Sequence, residues 1–257
     1  MTGSLMTSES NIPIGLEPRT HWAGIDGVLL RFALTAKPEA MAATQLLAAD
    51  LEAKTPAGVV EIAPGLVSVL LRFDPGKTRR EVLATEMSAR AQHIIQGQLD
   101  TPPPARRWTI PAAFGDADGP QLAEVAQAVG CSPDAAIRQI CEADLRVLVI
   151  GFAPGQPYIG LLPEAWDLPR QSELTPTVPA GAIVVAVRQL VMFGASSATG
   201  WRQVGRSAFR SFRPERDTPM PLRAGDAIRF APVPASEIEA LEQAADGLGG
   251  ARLKVLR

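Results

Sequence analysis

The chain has 257 residues, 46% of them hydrophobic and 20% charged, which is enough apolar content for a sizeable core and predicts two domains. A net charge of −2 and a pI near 5.8 leave no chain-wide field for nucleic acid or anionic lipid. The longest apolar runs, such as 145–150 and 182–187, fall far below the ~20 residues of a membrane helix. These features predict a cytoplasmic protein with no nucleic-acid or membrane partner.

Residues 1–15 carry neither a basic segment nor an apolar one, and read as a disordered leader. An N-terminal α+β domain is expected over 16–100. Within it Val28–Phe32 reads as a strand. Pro38–Lys54 reads as a helix, with Ala43, Leu46, Leu47 and Leu51 on one face. Gly58–Ile62 and Ser68–Phe73 give two strands, and Lys77–Gln96 a second helix aligned on Leu83, Met87, Ala91 and Ile94. The order β-α-β-β-α predicts an antiparallel sheet with both helices on one side, a ferredoxin-like α/β sandwich. The proline triplet Pro102-Pro103-Pro104 favours polyproline II, so 101–105 reads as a semi-rigid linker.

A second domain is expected over 106–235. It starts with a strand at Trp108–Ile110 and two short helices, Gln121–Val129 and Ala135–Glu142, the latter capped by Ser132. Leu145–Ile150, Ile183–Val187, Leu190–Phe193, Arg202–Val204 and Ala227–Ala231 are then short strands between Pro/Gly loops, the pattern of a small barrel or sandwich. The turn Arg223-Ala224-Gly225-Asp226 feeds the last of them. Residues 236–257 read as a closing amphipathic helix and a frayed tail.

The chemistry is bounded by what is scarce. Histidine occurs only at His21 and His93, without metal-ligand spacing, so no metal site is expected. Cys131 and Cys141 lie about 15 Å apart along one helix, too far for a disulfide, and read as small hydrophobes. Gly194-Ala195-Ser196-Ser197-Ala198 looks like a nucleophile elbow, but no histidine follows it. Gly247-Leu248-Gly249-Gly250 lacks the strand and the Lys-Ser/Thr of a phosphate loop. The informative stretch is 151–201. Its Pro/Gly clusters, which include Pro154, Gly155, Pro179 and Gly181, specify rigid loops, and such loops commonly carry function. Arg170 could clamp a carboxylate, Gln189 could bind an amide, and Tyr158 could donate its hydroxyl. Each has a structural alternative: a surface arginine, a glutamine holding loop backbone, a packing aromatic. Trp201 reads first as a core or interface residue.

The motifs Gly-Phe-x-Pro-Gly-x-x-Tyr at 151–158, Pro169-Arg170, Val178-Pro179-Ala180-Gly181, Gln189, Ser197, Gly200-Trp201 and Leu222-Arg223-x-Gly225-Asp226 occur in one order. In them the chain resembles the family of allophanate hydrolase subunit 1 and the B subunit of 5-oxoprolinase, which is KipI-like and corresponds to carboxyltransferase subdomains C and D. The resemblance covers about Val28 to Val233. It implies a C-terminal cyclophilin-like β-barrel and a non-autonomous subunit of an ATP-dependent amide hydrolase, either 5-oxoprolinase or allophanate hydrolase-like. It also implies a KipA-like (allophanate hydrolase subunit 2) partner and a lactam-utilisation-type third subunit. No cofactor is expected on this chain alone, with ATP and Mg in the assembled complex. The substrate-binding or interface candidates are Phe152, Pro154, Gly155, Tyr158, Arg170, Pro179, Gly181, Gln189, Ser197 and Trp201. Two alternatives accompany this reading: an inhibitor of a sensor histidine kinase, and a carboxyltransferase subunit of a biotin-dependent urea carboxylase. The chain departs from the family pattern in several places. A family histidine falls on Ile140 and a tyrosine on Leu145, arginines fall near Thr175 and Thr177, and a Gln-Thr-Gly-Ile-Tyr-Pro run reads Gln189-Leu190-Val191-Met192-Phe193-Gly194. The departures mark a diverged member whose substrate differs or whose catalysis is incomplete.

Overall fold

The computed structural model describes residues 16–256, so the leader expected over 1–15 lies outside the described residues. The chain forms two compact units that meet at the Pro103–Pro104 bond.

In the first unit, β1 (Arg19–Ala23) and β2 (Gly27–Arg31) form a hairpin ahead of α1 (Pro38–Ala53). β3 (Val59–Pro64), β4 (Ser68–Phe73) and α2 (Arg80–Ile95) follow. The sheet is antiparallel, in the order β1-β2-β4-β3. Val28 and Leu30 of β2, and Val69, Leu71 and Phe73 of β4, alternate inward and are buried, as period-two patterning demands. Leu47 and Leu51 of α1, with Leu83 and Met87 of α2, complete that core. Leu46, expected on the α1 core face, is only half-buried. The β-α-β-β-α order is therefore present, but β1 is an addition. It occupies the sheet edge beside β2, where a ferredoxin-like fold would place a strand following α2. Its sequence Arg-Thr-His-Trp-Ala is largely exposed, so no hydrophobic periodicity announced it.

The second unit is built on β5 (Arg106–Phe114), followed by α3 (Leu122–Ala128) and α4 (Pro133–Glu142). The Ser132 hydroxyl caps α4 by accepting from the Ala135 N–H at 3.3 Å. Then come β6 (Leu145–Ile150), β7 (Pro157–Gly160), β8 (Thr175–Val178), β9 (Ala182–Ala186) and β10 (Gln189–Met192). β11 (Ser197–Thr199), β12 (Arg202–Arg206), β13 (Ala227–Pro232), α5 (Ala235–Glu242) and β14 (Arg252–Val255) complete it. The order β12-β9-β10-β7-β6-β13-β5 closes when β5 pairs back to β12, giving a seven-stranded barrel consistent with the cyclophilin-like expectation. Ile110, Val147, Ile159, Ile183, Val185, Leu190 and Phe230 fill its interior.

β5, at Arg106–Phe114, is longer than the strand expected at Trp108–Ile110 and runs through Pro111. The proline is tolerated where neighbour strands change over: β14 pairs β5 through Thr109, and β12 pairs it from Ala113. Between those points no partner strand needs the missing N–H on that side. The tail expected to fray is corrected by the same ladder. Arg252–Val255 is strand β14, antiparallel to Arg106–Thr109; its Leu253/Val255 alternation is only four residues long and exposed throughout.

Candidate functional site

β9 and β10 each present two faces. Ile183, Val185, Leu190 and Met192 point into the barrel, while Ala182, Val184, Ala186, Val191 and Phe193 form an outer apolar layer. That layer is covered by a two-stranded ribbon of β8 and β11, through Val178 and the adjoining Trp201. A cavity of about 250 Å³ remains beside the ribbon, close to the lower end for small-molecule sites.

Phe152, Tyr158, Arg170 and Trp201 from the candidate set line this cavity. Tyr158 enters from β7, opposite Val191 of β10, and its ring meets Trp201 edge-on with centroids 6.0 Å apart. The Arg170 guanidinium lies 5.5 Å from the centre of the Trp201 ring, an attractive cation–π placement. Among the described residues it has no hydrogen bond or ion pair, so its donors remain available. Its backbone is fixed next door: Arg202 donates to the Pro169 carbonyl at 2.8 Å and pairs with Glu124 at 2.7 Å. Phe152 is 79% exposed at the rim, with a φ of 70°.

Other candidates hold the loops. Gly155 has a φ of 69°, and a Cβ there would come within 2.4 Å of the Ser211 carbonyl oxygen. Gly181, at a φ of 84°, has the Ser207 carbonyl oxygen 2.0 Å from its would-be Cβ. Pro179 accepts the Ala182 N–H at 3.1 Å in the turn into β9. Pro154 is exposed in the loop before β7. Ser197 pairs with Val178 in the ribbon and donates its hydroxyl to the Ala198 carbonyl at 3.2 Å. Gln189 is not part of the cavity. It shares a face of β10 with Val191, but lies two residues along, buried opposite Gly160. Of Tyr158, Arg170, Gln189 and Trp201, the cavity brings three together.

The sequence reading overlooked a set of amides. Gln121 accepts the Gln203 N–H at 2.9 Å and donates to Gln171 at 2.7 Å; Gln171 donates to the Trp201 carbonyl at 3.2 Å. This relay ties the ribbon to the barrel, and Gln171 itself lines the cavity. Gln156, only 2% exposed, also lines it, and among the described residues its amide has no hydrogen-bond partner. That amide is not among the fully buried polar atoms left without a partner, so it opens onto the cavity with its donor and acceptor free for a ligand. Gln121 and Gln171 are 50 positions apart, and no spacing rule links them. Gln156, inside the Gly-Phe-x-Pro-Gly-x-x-Tyr motif, was within reach of inspection.

The cavity wall contains hydroxyls, amides and one guanidinium against aromatic and aliphatic faces, with no carboxylate, imidazole or thiol. It can bind and polarise a small amide that bears an anion; it supplies no nucleophile. Two departures from the family pattern, Val191 and Phe193, are in the wall, and Thr175 accepts from Gln171 at 3.4 Å. Ile140 and Leu145 instead belong to the barrel core, away from the cavity. Among the described residues no group of three acids, histidines or cysteines could hold a metal, and no helix is long and apolar enough to cross a membrane.

A family model described as the carboxyltransferase domain, subdomain C and D, matches residues 18–222. The B subunit of 5-oxoprolinase from Escherichia coli O157:H7 is 35% identical over 176 residues, 68% of this chain and 78% of that protein. The protein of the same name from Bacillus subtilis strain 168 is 26% identical over 86% of this chain and 95% of its own. Among solved structures, TTHA0988 aligns with a TM-score of 0.67 and 31% identity over 81% of this chain, which spans 40% of its length. The Kluyveromyces lactis urea amidolyase aligns with a TM-score of 0.70 over 93% of this chain and 16% of its own; at 19% identity this is a likeness of fold.

Proposed function

The chain belongs to the carboxyltransferase domain, subdomain C and D, family, and we propose that it is a non-autonomous subunit of an ATP-dependent hydrolase that opens a small cyclic amide, 5-oxoproline being the first candidate. The observation that carries this reading is the cavity: Arg170 with free donors at one end, Tyr158 and the unpartnered Gln156 amide beside it, and an apolar wall of Val191, Phe193 and Trp201. Arg170 would clamp the substrate carboxylate, whose pairing with a guanidinium is strong and directional. Tyr158 and Gln156 would hydrogen-bond the ring amide, and the ring methylenes would lie on the aromatic and aliphatic faces. Net hydrolysis adds water across the C–N bond: oxygen goes to the carbonyl carbon, and the ring nitrogen takes a proton as it leaves. ATP, held with Mg in the assembled complex and not by this chain alone, would phosphorylate the carbonyl oxygen and leave as ADP, and phosphate would depart from that carbon as water's oxygen replaces it. Charge on that oxygen then needs positioned donors, which is the part this chain supplies.

The names of the curated relatives, each denoting one subunit of an enzyme, support obligatory partners, and we place a KipA-like protein and a lactam-utilisation-type subunit in that role. The loss of a family glycine at Val191 and of a family tyrosine at Phe193 makes the wall narrower and less polar. Discrimination would therefore favour small rings with few hydroxyl groups. The test is co-expression. The chain alone should release no glutamate from 5-oxoproline, and the complex with its KipA-like and lactam-utilisation-type partners should do so with ATP consumption. An assembled complex that turns over neither 5-oxoproline nor allophanate would overturn the proposal.

A further inference from the structure

A second cavity, of about 320 Å³, opens on the outer face of the barrel sheet formed by β14, β5, β13 and β6. The ladder registers dictate what faces it. Lys254 is opposite Arg107, Arg107 is opposite Ala227, and Ala227 is opposite Arg146, so one transverse row reads Lys-Arg-Ala-Arg across four strands. The neighbouring row sets Arg252 opposite Thr109 and Thr109 opposite Arg229. Adjacent strands lie about 4.8 Å apart, so this packs like charges far closer than a surface of mixed sign would. Arg107, Arg146 and Arg229 all line the cavity, with Ala227 as a small residue in its floor, and the one carboxylate among the lining residues is that of Asp144.

The arginines differ in how far they are occupied. Among the described residues the Arg107 guanidinium has no hydrogen bond or ion pair. Arg229 commits one nitrogen to the Cys141 carbonyl at 2.7 Å and keeps its other donors. Burial pushes the Arg146 guanidinium down from its ordinary value, and the Asp144 carboxylate opposes that shift. Arg107 and Arg229 lie diagonally across the β5–β13 ladder, with Lys254 opposite Arg107, and the one exposed carboxylate in the lining does not neutralise them. An anion of higher charge would.

We propose that this cavity is a binding site for a phosphate-bearing anion, a pyrophosphate group or phosphate ester, held by Arg107 and Arg229 above Ala227, with Arg146 in the cavity wall. Planar guanidinium forks match phosphate oxygens in pairs, and a tetrahedral multiply charged group accepts from several forks at once. The site is on a different part of the barrel from the ribbon cavity, shares no lining residue with it, and stands whether or not that cavity takes a lactam.

The test is calorimetric titration of the full chain with pyrophosphate, with ADP and inorganic phosphate in parallel arms. Saturable binding that weakens steeply with added salt is expected, and the arm that binds tightest identifies the source as a nucleotide or as free phosphate. Arg107→Gln should weaken binding by about tenfold or more, since it removes charge-assisted bonds. Ala227→Leu, which fills the floor without changing charge, should do the same, whereas Arg170→Ala in the other cavity should leave binding intact. Thermal unfolding of each variant separates a lost site from a lost fold. The proposal is overturned if none of the three ligands saturates the chain, or if both cavity variants bind as tightly as the parent.

Discussion

At the scale of single residues, the strongest consequence concerns Arg170. It is exposed, stacks on Trp201 and makes no hydrogen bond to the described protein, so its removal costs the fold little. In the assembled enzyme Arg170→Ala should raise KM by about tenfold or more with an unchanged melting temperature, the signature of a lost charge-assisted contact to substrate. Unchanged kinetics would return Arg170 to the surface. Cys141 illustrates the opposite role. Burial, the largest influence, pushes its thiol up to about 11, with Arg229 pulling the other way. The folded state therefore holds that proton through a window in which the unfolded thiol ionises from its usual value of 9.0. Stability from this group is present below pH 9 and declines as pH rises toward 11. Near pH 8 the native thiolate should be about a hundredfold scarcer than that of an ordinary cysteine. Alkylation in native buffer should accordingly be far slower than in urea; equal rates would contradict the burial. Tyr158, Arg170 and Trp201 were legible as candidates because Pro and Gly punctuate the chain around them, and all three line the ribbon cavity. Gln189 was misplaced because motif order carries no register: its strand sets it against Gly160 instead.

At the scale of elements, the turn Arg223–Asp226 shows how a motif can serve the fold. Asp226 is buried, accepts the Arg223 N–H at 2.9 Å and pairs with Arg106 at 2.5 Å, locking the entry to β13 onto the start of β5. Asp226→Ala would leave the partly buried Arg106 uncompensated, and should cost about 3–5 kcal/mol in denaturant unfolding. A loss below about 1 kcal/mol would mean that the pair behaves as a surface bridge. Helices and central strands were legible here because apolar periodicity marks any element with a buried face. β1 and β14 escaped because they are exposed edges, and β8 and β11 because they are short and form a ribbon apart from the barrel sheet. The ribbon matters most for function, since with Trp201 it forms one wall of the cavity, and Gln121 and Gln171 fasten it to the barrel. Its position depends on amide contacts between distant positions, which no local pattern encodes.

At the scale of the whole molecule, the chain is two compact units and matches the family model over 18–222, and the function proposed for it is that of a subunit that presents a binding site to its partners. On the proposed reading the ribbon cavity would supply recognition and polarisation, and the atoms that break the C–N bond would come from partner subunits. The most direct measurement is a crystal structure of the assembled complex soaked with 5-oxoproline. The account predicts ligand density in the ribbon cavity, with its carboxylate on Arg170 and its amide beside Tyr158 and Gln156. Ordered substrate bound wholly within a partner protein, with the ribbon cavity empty, would contradict it.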